Sequence, residues 1–237
     1  MRTWHRLLAC GLALFVLAGT PARAAGDGLE GLVAGSPAAG IYGSDHLAQL
    51  PDKAVLVFDY RFEGTLLEKP FDDNVVLDFT RHDPADTGGT RGYDVAATLF
   101  PQSRNLQIGP LSAASVNPIL LIFFQRDATQ MSNGTGGSQH YFRNTIRRVL
   151  QTPDPASVKP VTIRFDGKDL AASEITFRPF ADDPNRARLR EFADKSYHFI
   201  VSDAVPGGVY EVGAETPAGD GQGVLLRETY RLREVRP

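Results

Sequence analysis

Apolar and polar residues alternate with a period of two in several short segments of this chain, and this alternation limits the possible folds more than any other feature. In the clearest segment, residues 55–63, every second position is apolar: Leu56, Phe58, Tyr60 and Phe62. Successive side chains of a strand point to opposite faces, so this pattern is typical of a strand with one packed and one wet face. Comparable segments cover residues 74–81, 93–99, 161–165, 175–177, 197–201, 209–216 and 224–234. The sequence therefore predicts about eight strands, and the turn-forming residues between them favour antiparallel pairing.

The middle of the chain has a helical pattern instead. Asn117-Pro118 is typical of an N-cap followed by proline at the first helical position, and residues 119–124 are continuously apolar. Three glycines at positions 134, 136 and 137 end this segment, and Ser138 precedes an amphipathic stretch that reaches Gln151. These features predict a helical hairpin at about 117–151 that packs on one face of the sheet. A buried strand over residues 119–124 remains an alternative, because short apolar runs suit either structure.

The predicted fold class is α+β: a mainly antiparallel, curved β-sheet, or a partly open barrel or sandwich, with the helical hairpin inserted. Asp166-Gly167 is the strongest signal for a tight turn between two strands. We expect one domain over residues 52–237, because no long polar linker separates two cores. Residues 25–51 are rich in Gly, Ala, Ser and Pro, and we expect them to form a flexible lead-in.

The first 24 residues have the pattern of a secretory signal peptide. Arg2 and Arg6 give a positive start, residues 7–17 are almost entirely apolar, and Ala22-Arg23-Ala24 provides a small-residue cleavage site. The apolar run is about half of the roughly 20 residues that a spanning helix needs, which disfavours an uncleaved anchor. Cys10 lies at the start of that run, which disfavours a lipoprotein signal. We expect cleavage after residue 24 and export, to the periplasm in a bacterium or by secretion otherwise, with no transmembrane segment left afterwards.

Cleavage would also restrict the chemistry of the mature chain. Cys10 and Trp4 are the only cysteine and tryptophan, and both would be removed, which excludes disulfides, thiol nucleophiles and cysteine metal ligands. Removing the three arginines of residues 1–24 leaves 22 basic and 28 acidic residues, a formal charge of −6. Such a chain has no overall attraction for nucleic acid, so we expect no nucleic-acid partner.

No established catalytic or nucleotide-binding motif occurs in the sequence. One candidate metal site is the loop that carries His82, Asp83 and Asp86, which places an imidazole and two carboxylates within five residues. The alternative is a polar turn in which the aspartates bind local backbone groups. We expect no cofactor.

A candidate ligand or anion site lies at the start of the second predicted helix. Its residues combine free backbone N–H groups with nearby basic side chains: Gly136, Gly137, Ser138, His140, Arg143 and Arg147. A helix N-terminus attracts anions through its backbone dipoles. The alternative is an ordinary helix cap next to a solvated basic face. A triad of Ser138, His140 and Asp127 is disfavoured, because residues two apart on a helix point in divergent directions.

Two further sets of residues allow more than one interpretation. Arg126 and Asp127 are predicted to form an ion pair that closes the end of the first helix. Arg227, Arg231 and Arg233 share one strand face, and they could pair with Asp59 and Glu63 across strands, form a basic stripe, or protect an edge strand, which is the favoured interpretation. The aromatic residues of the strands predict either a packed core or, if the sheet curves, a cavity for an apolar ligand.

The leading functional hypothesis is an exported, non-catalytic binding or envelope-interaction module of unknown specificity. Its partner would be an unknown envelope protein or a small apolar or anionic ligand. The alternative is an envelope enzyme, a hydrolase or isomerase, that uses histidine and carboxylates from loops. A third hypothesis is a structural protein of the envelope.

Overall fold

A computed structural model describes residues 31–82, 92–219, 221 and 223–237. Nine strands form one antiparallel sheet, in the order β4-β3-β2-β1-β9-β8-β7-β6-β5. Their bounds are β1 Lys53–Glu63, β2 Phe71–Arg81, β3 Tyr93–Leu99, β4 Leu106–Ala114, β5 Val158–Phe165, β6 Lys168–Phe177, β7 Ser196–Val201, β8 Val209–Pro217 and β9 Val224–Arg236. β1 pairs with β9, which joins a meander of β1–β4 to a meander of β5–β9. The sheet is curved and unclosed, so the predicted α+β class with an open, mainly antiparallel sheet is confirmed.

Four α-helices accompany the sheet in the described ranges: α1 Pro37–Tyr42, α2 Ile119–Thr135, α3 Gln139–Leu150 and α4 Arg186–Leu189. Short 3-10 helices cover Pro155–Ser157 and Arg190–Asp194. At the start of α2 the side chain of Asn117 accepts a hydrogen bond from the backbone N–H of Ile119 (3.1 Å). The helix ends at Thr135, and its C-cap Gly136 has a φ of 75°, which favours glycine. The strand alternative for residues 119–124 is therefore wrong.

β4 is the strand that the alternation pattern did not predict, which is why about eight strands were expected instead of nine. Gly109 and Pro110 interrupt the alternation within this segment. β4 is one edge of the sheet, and proline is tolerated on an edge strand because one side of that strand needs no N–H donors. The sequence pattern failed here because an edge strand can lose both its alternation and part of its hydrogen bonding.

The inner face of the sheet, which we define as the face covered by α2, carries the apolar side chains that the alternation predicted. Phe123 of α2 is fully buried and packs edge-on against three rings of β7 and β9, with centroid distances of 6.1 Å to Tyr197, 5.7 Å to Phe199 and 6.1 Å to Tyr230. On the neighbouring strand β6, the ring of Phe177 stacks on Tyr197, with a centroid distance of 5.2 Å. Where α2 lies on the sheet, the aromatic face is therefore a packed core.

The described part of the predicted lead-in packs against the domain. Ser36 caps α1 by accepting a hydrogen bond from the backbone N–H of Ala39 (3.2 Å). Ile41 is fully buried, and Leu47 and Leu50 are also buried. Residues 31–50 thus contribute to the same core as the strands. Residues 1–24, on which the predicted signal peptide falls, lie outside the described residues. None of the helices in the described part of the chain is long and apolar enough to span a bilayer.

His46, just after α1, has a buried ring nitrogen without a partner. Its Nε2 donates to the carbonyl oxygen of Ile41 (2.6 Å), whereas its Nδ1 is buried and finds no hydrogen-bond partner. Burial lowers the pKa of this histidine, although the Ile41 carbonyl, Asp45 and Asp203 act in the opposite direction. The folded protein therefore favours the neutral imidazole.

This histidine predicts a loss of stability in mild acid. A histidine whose pKa is lowered on folding binds a proton more readily in the unfolded chain, so the free energy of unfolding should fall as the pH drops below about 6.5, by at most about 1.4 kcal/mol per pH unit. Urea denaturation of the wild type and of His46→Gln between pH 8 and pH 5 measures this effect. We expect the glutamine variant, which can still donate to Ile41, to show the smaller decline. Equal slopes in the two proteins would refute the role of His46.

Candidate functional site

A groove of about 670 Å³ crosses the outer face of the sheet, the face opposite α2. It passes over five adjacent strands, β2, β1, β9, β8 and β7. Each of these five strands is hydrogen-bonded to a neighbouring strand on both sides. The groove is therefore built on a rigid scaffold.

The strand register arranges the groove residues in three parallel rows. The middle row runs from Asp72 and Arg61 through Thr229 and Gly213 to His198. The first flanking row contains Asn74, Asp59, Arg231 and Glu211, and the second contains Glu63, Arg227 and Glu215. The centre of the middle row is formed by Thr229 and by Gly213, over which the imidazole of His198 lies. This part of the row is the floor between the two charged walls.

The first flanking row contains two groups of hydrogen-bonded side chains, one around Glu211 and one around Asp59. Arg231 and His198 both donate to Glu211, and the His198 Nε2 to Glu211 Oε1 distance is 3.1 Å. Burial by itself would raise the pKa of Glu211, but the hydrogen bonds from His198 and Arg231 outweigh it and lower that pKa. Glu211 therefore stays ionised at neutral pH. At the other end of the row, Asp59 accepts from Asn74 (2.9 Å) and from Arg233 (3.1 Å).

The second flanking row is paired in the same way. Arg227 donates to Glu215 (2.6 Å between Nη2 and Oε2) and to Glu63 (3.2 Å). Arg61 then connects Glu63 (2.8 Å) with Asp72 (2.9 Å). Across β1, β9 and β8, both walls therefore present an acid, an arginine and an acid in that order.

These contacts decide between the interpretations of the strand arginines. The cross-strand pairs of Arg233 with Asp59 and of Arg227 with Glu63 are confirmed. Protection of an edge strand is wrong, because β9 is the fifth of nine strands. A basic stripe is also wrong, because the three arginines each contact a carboxylate.

Gly213 allows His198 to reach across the floor of the groove. A Cβ atom at position 213 would lie 2.5 Å from Cε1 of His198, which is far inside van der Waals contact. The missing side chain on β8 thus leaves the space in which the imidazole lies. Sequence reasoning did not select His198 or Gly213, because their proximity depends on the register of β7 and β8.

On the inner face, Arg126 of α2 is anchored to β1 and β9. Its guanidinium donates to Tyr60 (3.1 Å), Tyr230 (2.9 Å) and Glu228 (3.2 Å). Both phenols also donate to Glu228, at 2.9 and 2.8 Å. Burial, and then the charge of Glu228, raise the pKa of Tyr60 and Tyr230 well above the ordinary value, which keeps both phenols protonated as donors.

The next residue of α2, Asp127, is anchored to Tyr197 of β7 and to Lys195, the residue that precedes β7. It accepts hydrogen bonds from the buried Lys195 and from the hydroxyl of Tyr197 (2.6 Å). Lys195 also donates to Gln130 (3.0 Å). The predicted ion pair between Arg126 and Asp127 is therefore wrong: each residue pairs with the sheet side of the core, and Asp127 is not available to a triad.

The predicted anion-site residues lie at the junction of α2 and α3, where several of their polar groups have partners within the chain. The N–H of Gly136 donates to Ser132 (2.8 Å), and the N–H of Gly137 donates to Thr135 (3.2 Å). Ser138 caps α3 by accepting from the N–H of Tyr141 (3.2 Å). On the exposed side of α3, His140 contacts Asn144 (2.9 Å), Arg143 donates to Gln125 (3.0 Å), and Arg147 is exposed.

The predicted metal loop is described only at its first residue. Nδ1 of His82 lies 3.2 Å from Oδ2 of Asp94, whereas Asp83 and Asp86 lie outside the described residues. Over the described ranges, no group of three or more histidine, cysteine, aspartate or glutamate side chains is arranged to hold a metal ion.

No protein-family model matches the chain, and no curated protein matches it. Among solved structures, it is similar to a "putative outer membrane lipoprotein-sorting protein domain" from Vibrio parahaemolyticus. The two chains are 9% identical, the match covers 78% of this chain and 84% of that chain, and the TM-score is 0.18. A TM-score of this size carries no argument about fold or function.

Proposed function

We propose that this chain is an exported, non-catalytic binding module of the cell envelope, and that its binding site is the groove on the outer face. One observation carries the proposal: a floor formed by Thr229 and by the imidazole of His198 over Gly213 lies between two walls that are both lined by paired charges. Export is inferred from the N-terminal pattern of the sequence.

The dimensions of the groove suit one extended polypeptide segment. Arg231 and Arg227 are four residues apart on β9, so the two walls are about 14 Å apart at the backbone. Five strands at about 4.8 Å spacing give the groove a length of about 19 Å, which an extended segment of about six residues would span. The partner is therefore inferred to be a peptide segment of another protein.

The charge order of the walls predicts the charge order of the partner. Both walls present an acid, an arginine and an acid, so the complementary ligand carries a cation, an anion and a cation on each side. Side chains of an extended peptide alternate between its two sides. The hexapeptide Lys-Lys-Glu-Glu-Lys-Lys meets this requirement, because it presents Lys, Glu and Lys to each wall.

The packed inner face supports the choice of the outer groove. Phe123 and the rings around it occupy the space between α2 and the sheet, and Arg126 and Asp127 hold the helix there through buried polar contacts. An apolar ligand would have to displace this helix. A ligand in the outer groove would need only to displace water and to form additional contacts with side chains that are already paired.

The candidate for the enzymatic alternative in the groove is His198. A carboxylate orients its imidazole inside a groove, and a general base is often held in this way. The anion site at Gly136, Gly137, Ser138, His140, Arg143 and Arg147 remains a separate proposal. The geometry favours it less than the groove, because the Ser138 hydroxyl and the Gly137 amide already have partners.

Thr229→Phe is expected to block the groove without removing a charge. We expect the fluorescein-labelled hexapeptide Lys-Lys-Glu-Glu-Lys-Lys to bind the wild type in a fluorescence anisotropy titration, with an affinity that falls as salt is added. The Thr229→Phe variant should bind at least about tenfold more weakly, since the ring would occupy the floor. Thr162→Phe, at an exposed position of the edge strand β5 and away from the groove, should bind like the wild type.

A peptide of the same composition provides the second control. In Lys-Glu-Lys-Glu-Lys-Lys one side carries three lysines, so weaker binding of this peptide is expected. Equal binding of the two peptides, or no binding to the wild type at millimolar concentration, would contradict the proposed ligand. Chromatography of the incubated peptide tests for cleavage. If the wild type cleaves the peptide and His198→Ala does not, the enzymatic alternative is correct and the proposal of a non-catalytic binding module is wrong.

A further inference from the structure

A second concave site lies at the C-terminal end of α3. It shares no lining residue with the groove on the outer face. It has a volume of about 250 Å³ and is bordered by the last turn of α3 and the segment after it, the first residue of α1 and the segment that follows β6. Its apolar lining consists of Pro37, Val149 and Pro179. Its charged lining consists of Arg148, Asp154, Arg178 and Asp182.

Three of these four charges have no partner in the described part of the chain. Arg178 is the exception, because its guanidinium forms an ion pair with Asp194 (3.1 Å). Arg148, Asp154 and Asp182 form no side-chain hydrogen bond or ion pair with any described residue. The arginines of the groove, by contrast, each contact a carboxylate. The cavity therefore offers one free guanidinium and two free carboxylates around an apolar lining.

We propose that this cavity binds a diamino monocarboxylic acid, the chemical class that includes lysine. Arg148 would hold the carboxylate, because a guanidinium binds a carboxylate through two parallel hydrogen bonds. Asp154 and Asp182 would each hold one ammonium group. The C-terminal end of α3 carries the negative pole of the helix dipole, which further favours cations there. The charges of such a ligand, one negative and two positive, complement the free charges of the cavity.

The size of the cavity agrees with this class of ligand. A volume of about 250 Å³ corresponds to about eight water-sized groups. An amino acid with a short or medium side chain fills such a volume, whereas a peptide segment does not. The methylene groups between the two ammonium groups would contact the proline and valine side chains. This site is independent of the groove, and neither proposal requires the other.

The test compares four small molecules by isothermal titration calorimetry and by their effect on the melting temperature. L-lysine has all three charges, L-norleucine lacks the side-chain ammonium, cadaverine lacks the carboxylate, and L-glutamate has the opposite charge excess. We expect lysine to bind most tightly and to raise the melting temperature most, because it alone satisfies all three free groups. Norleucine and cadaverine should bind about tenfold or more weakly, and glutamate should not bind.

Two variants and one matched control assign the effect to the cavity. Arg148→Ala should reduce the affinity for lysine to that for cadaverine, and Asp182→Asn should reduce it toward that for norleucine. Arg143→Ala, which removes an exposed arginine from the same helix outside the cavity, should leave lysine binding unchanged. The proposal is overturned if lysine does not bind, if glutamate binds equally well, or if Arg148→Ala and Arg143→Ala bind lysine alike.

Discussion

Replacing Lys195 with alanine is expected to lower the free energy of unfolding by about 3–5 kcal/mol, because the change leaves a charge inside the core without its counter-ion. Lys195 is 2% exposed and Asp127 is fully buried. After the substitution, Asp127 would keep the hydrogen bond from Tyr197 but would lose the ammonium group beside it. Since a domain is typically stable by only about 5–15 kcal/mol, this loss is large. Urea denaturation followed by circular dichroism at pH 7 measures it.

An exposed ion pair provides the control. Arg164 and Asp169 lie 2.8 Å apart next to the turn between β5 and β6, with side chains that are 69% and 65% exposed. Arg164→Ala should cost no more than about 1 kcal/mol, because water screens such a pair. The double variant Asp127→Leu with Lys195→Met should recover part of the loss, since an apolar pair needs no counter-ion. A cost below about 1 kcal/mol for Lys195→Ala would contradict a buried ion pair at this position.

Truncation of Phe123 to alanine is expected to cost about 3–5 kcal/mol for a different reason. The phenyl ring is fully buried between α2 and strands β7 and β9, and its removal would leave a cavity that the rigid sheet cannot close. The same loss would weaken the packing of α2 on the sheet, although the polar contacts of Arg126 and Asp127 would remain. Denaturant unfolding of the variant measures the change.

Leu121 offers a matched control on the same helix. Its side chain is 59% exposed, two residues from Phe123. Leu121→Ala should change the free energy of unfolding by no more than about 0.5 kcal/mol, because little apolar surface returns to water. If Phe123→Ala were as mild as Leu121→Ala, the space under α2 would be loosely filled, and the hypothesis of an inner ligand cavity would regain support.

The sequence pattern was most successful where the structure depends on local geometry. The alternation of β1 assigned Phe58 and Tyr60 to the packed face and Asp59 and Arg61 to the wet face, as the structure has them. This worked because the direction of a strand side chain follows from the backbone of its own strand. The cap at Ser138 and the turn at Asp166-Gly167 were predictable for the same reason.

The candidate sites were predicted less well, because sequence reasoning collected residues that are close along the chain. The groove is assembled from residues that are far apart: the contacting residues Arg233 and Asp59 are separated by 174 positions. The available signal was the repeat of Arg227, Arg231 and Arg233 on one face, together with acids at the same spacing on β1. Their meeting required the pairing of β1 with β9, which no local pattern specifies.

By itself, the sequence determined which side chains are buried and which face water, because the period of the apolar residues must match the period of the strand or helix that carries them. Only the tertiary structure decided the order of the strands, the partners of Arg126 and Asp127, and the position of the charged groove. Strand order and register result from the packing of the whole core, and the free energy that selects them is distributed over many contacts between distant residues.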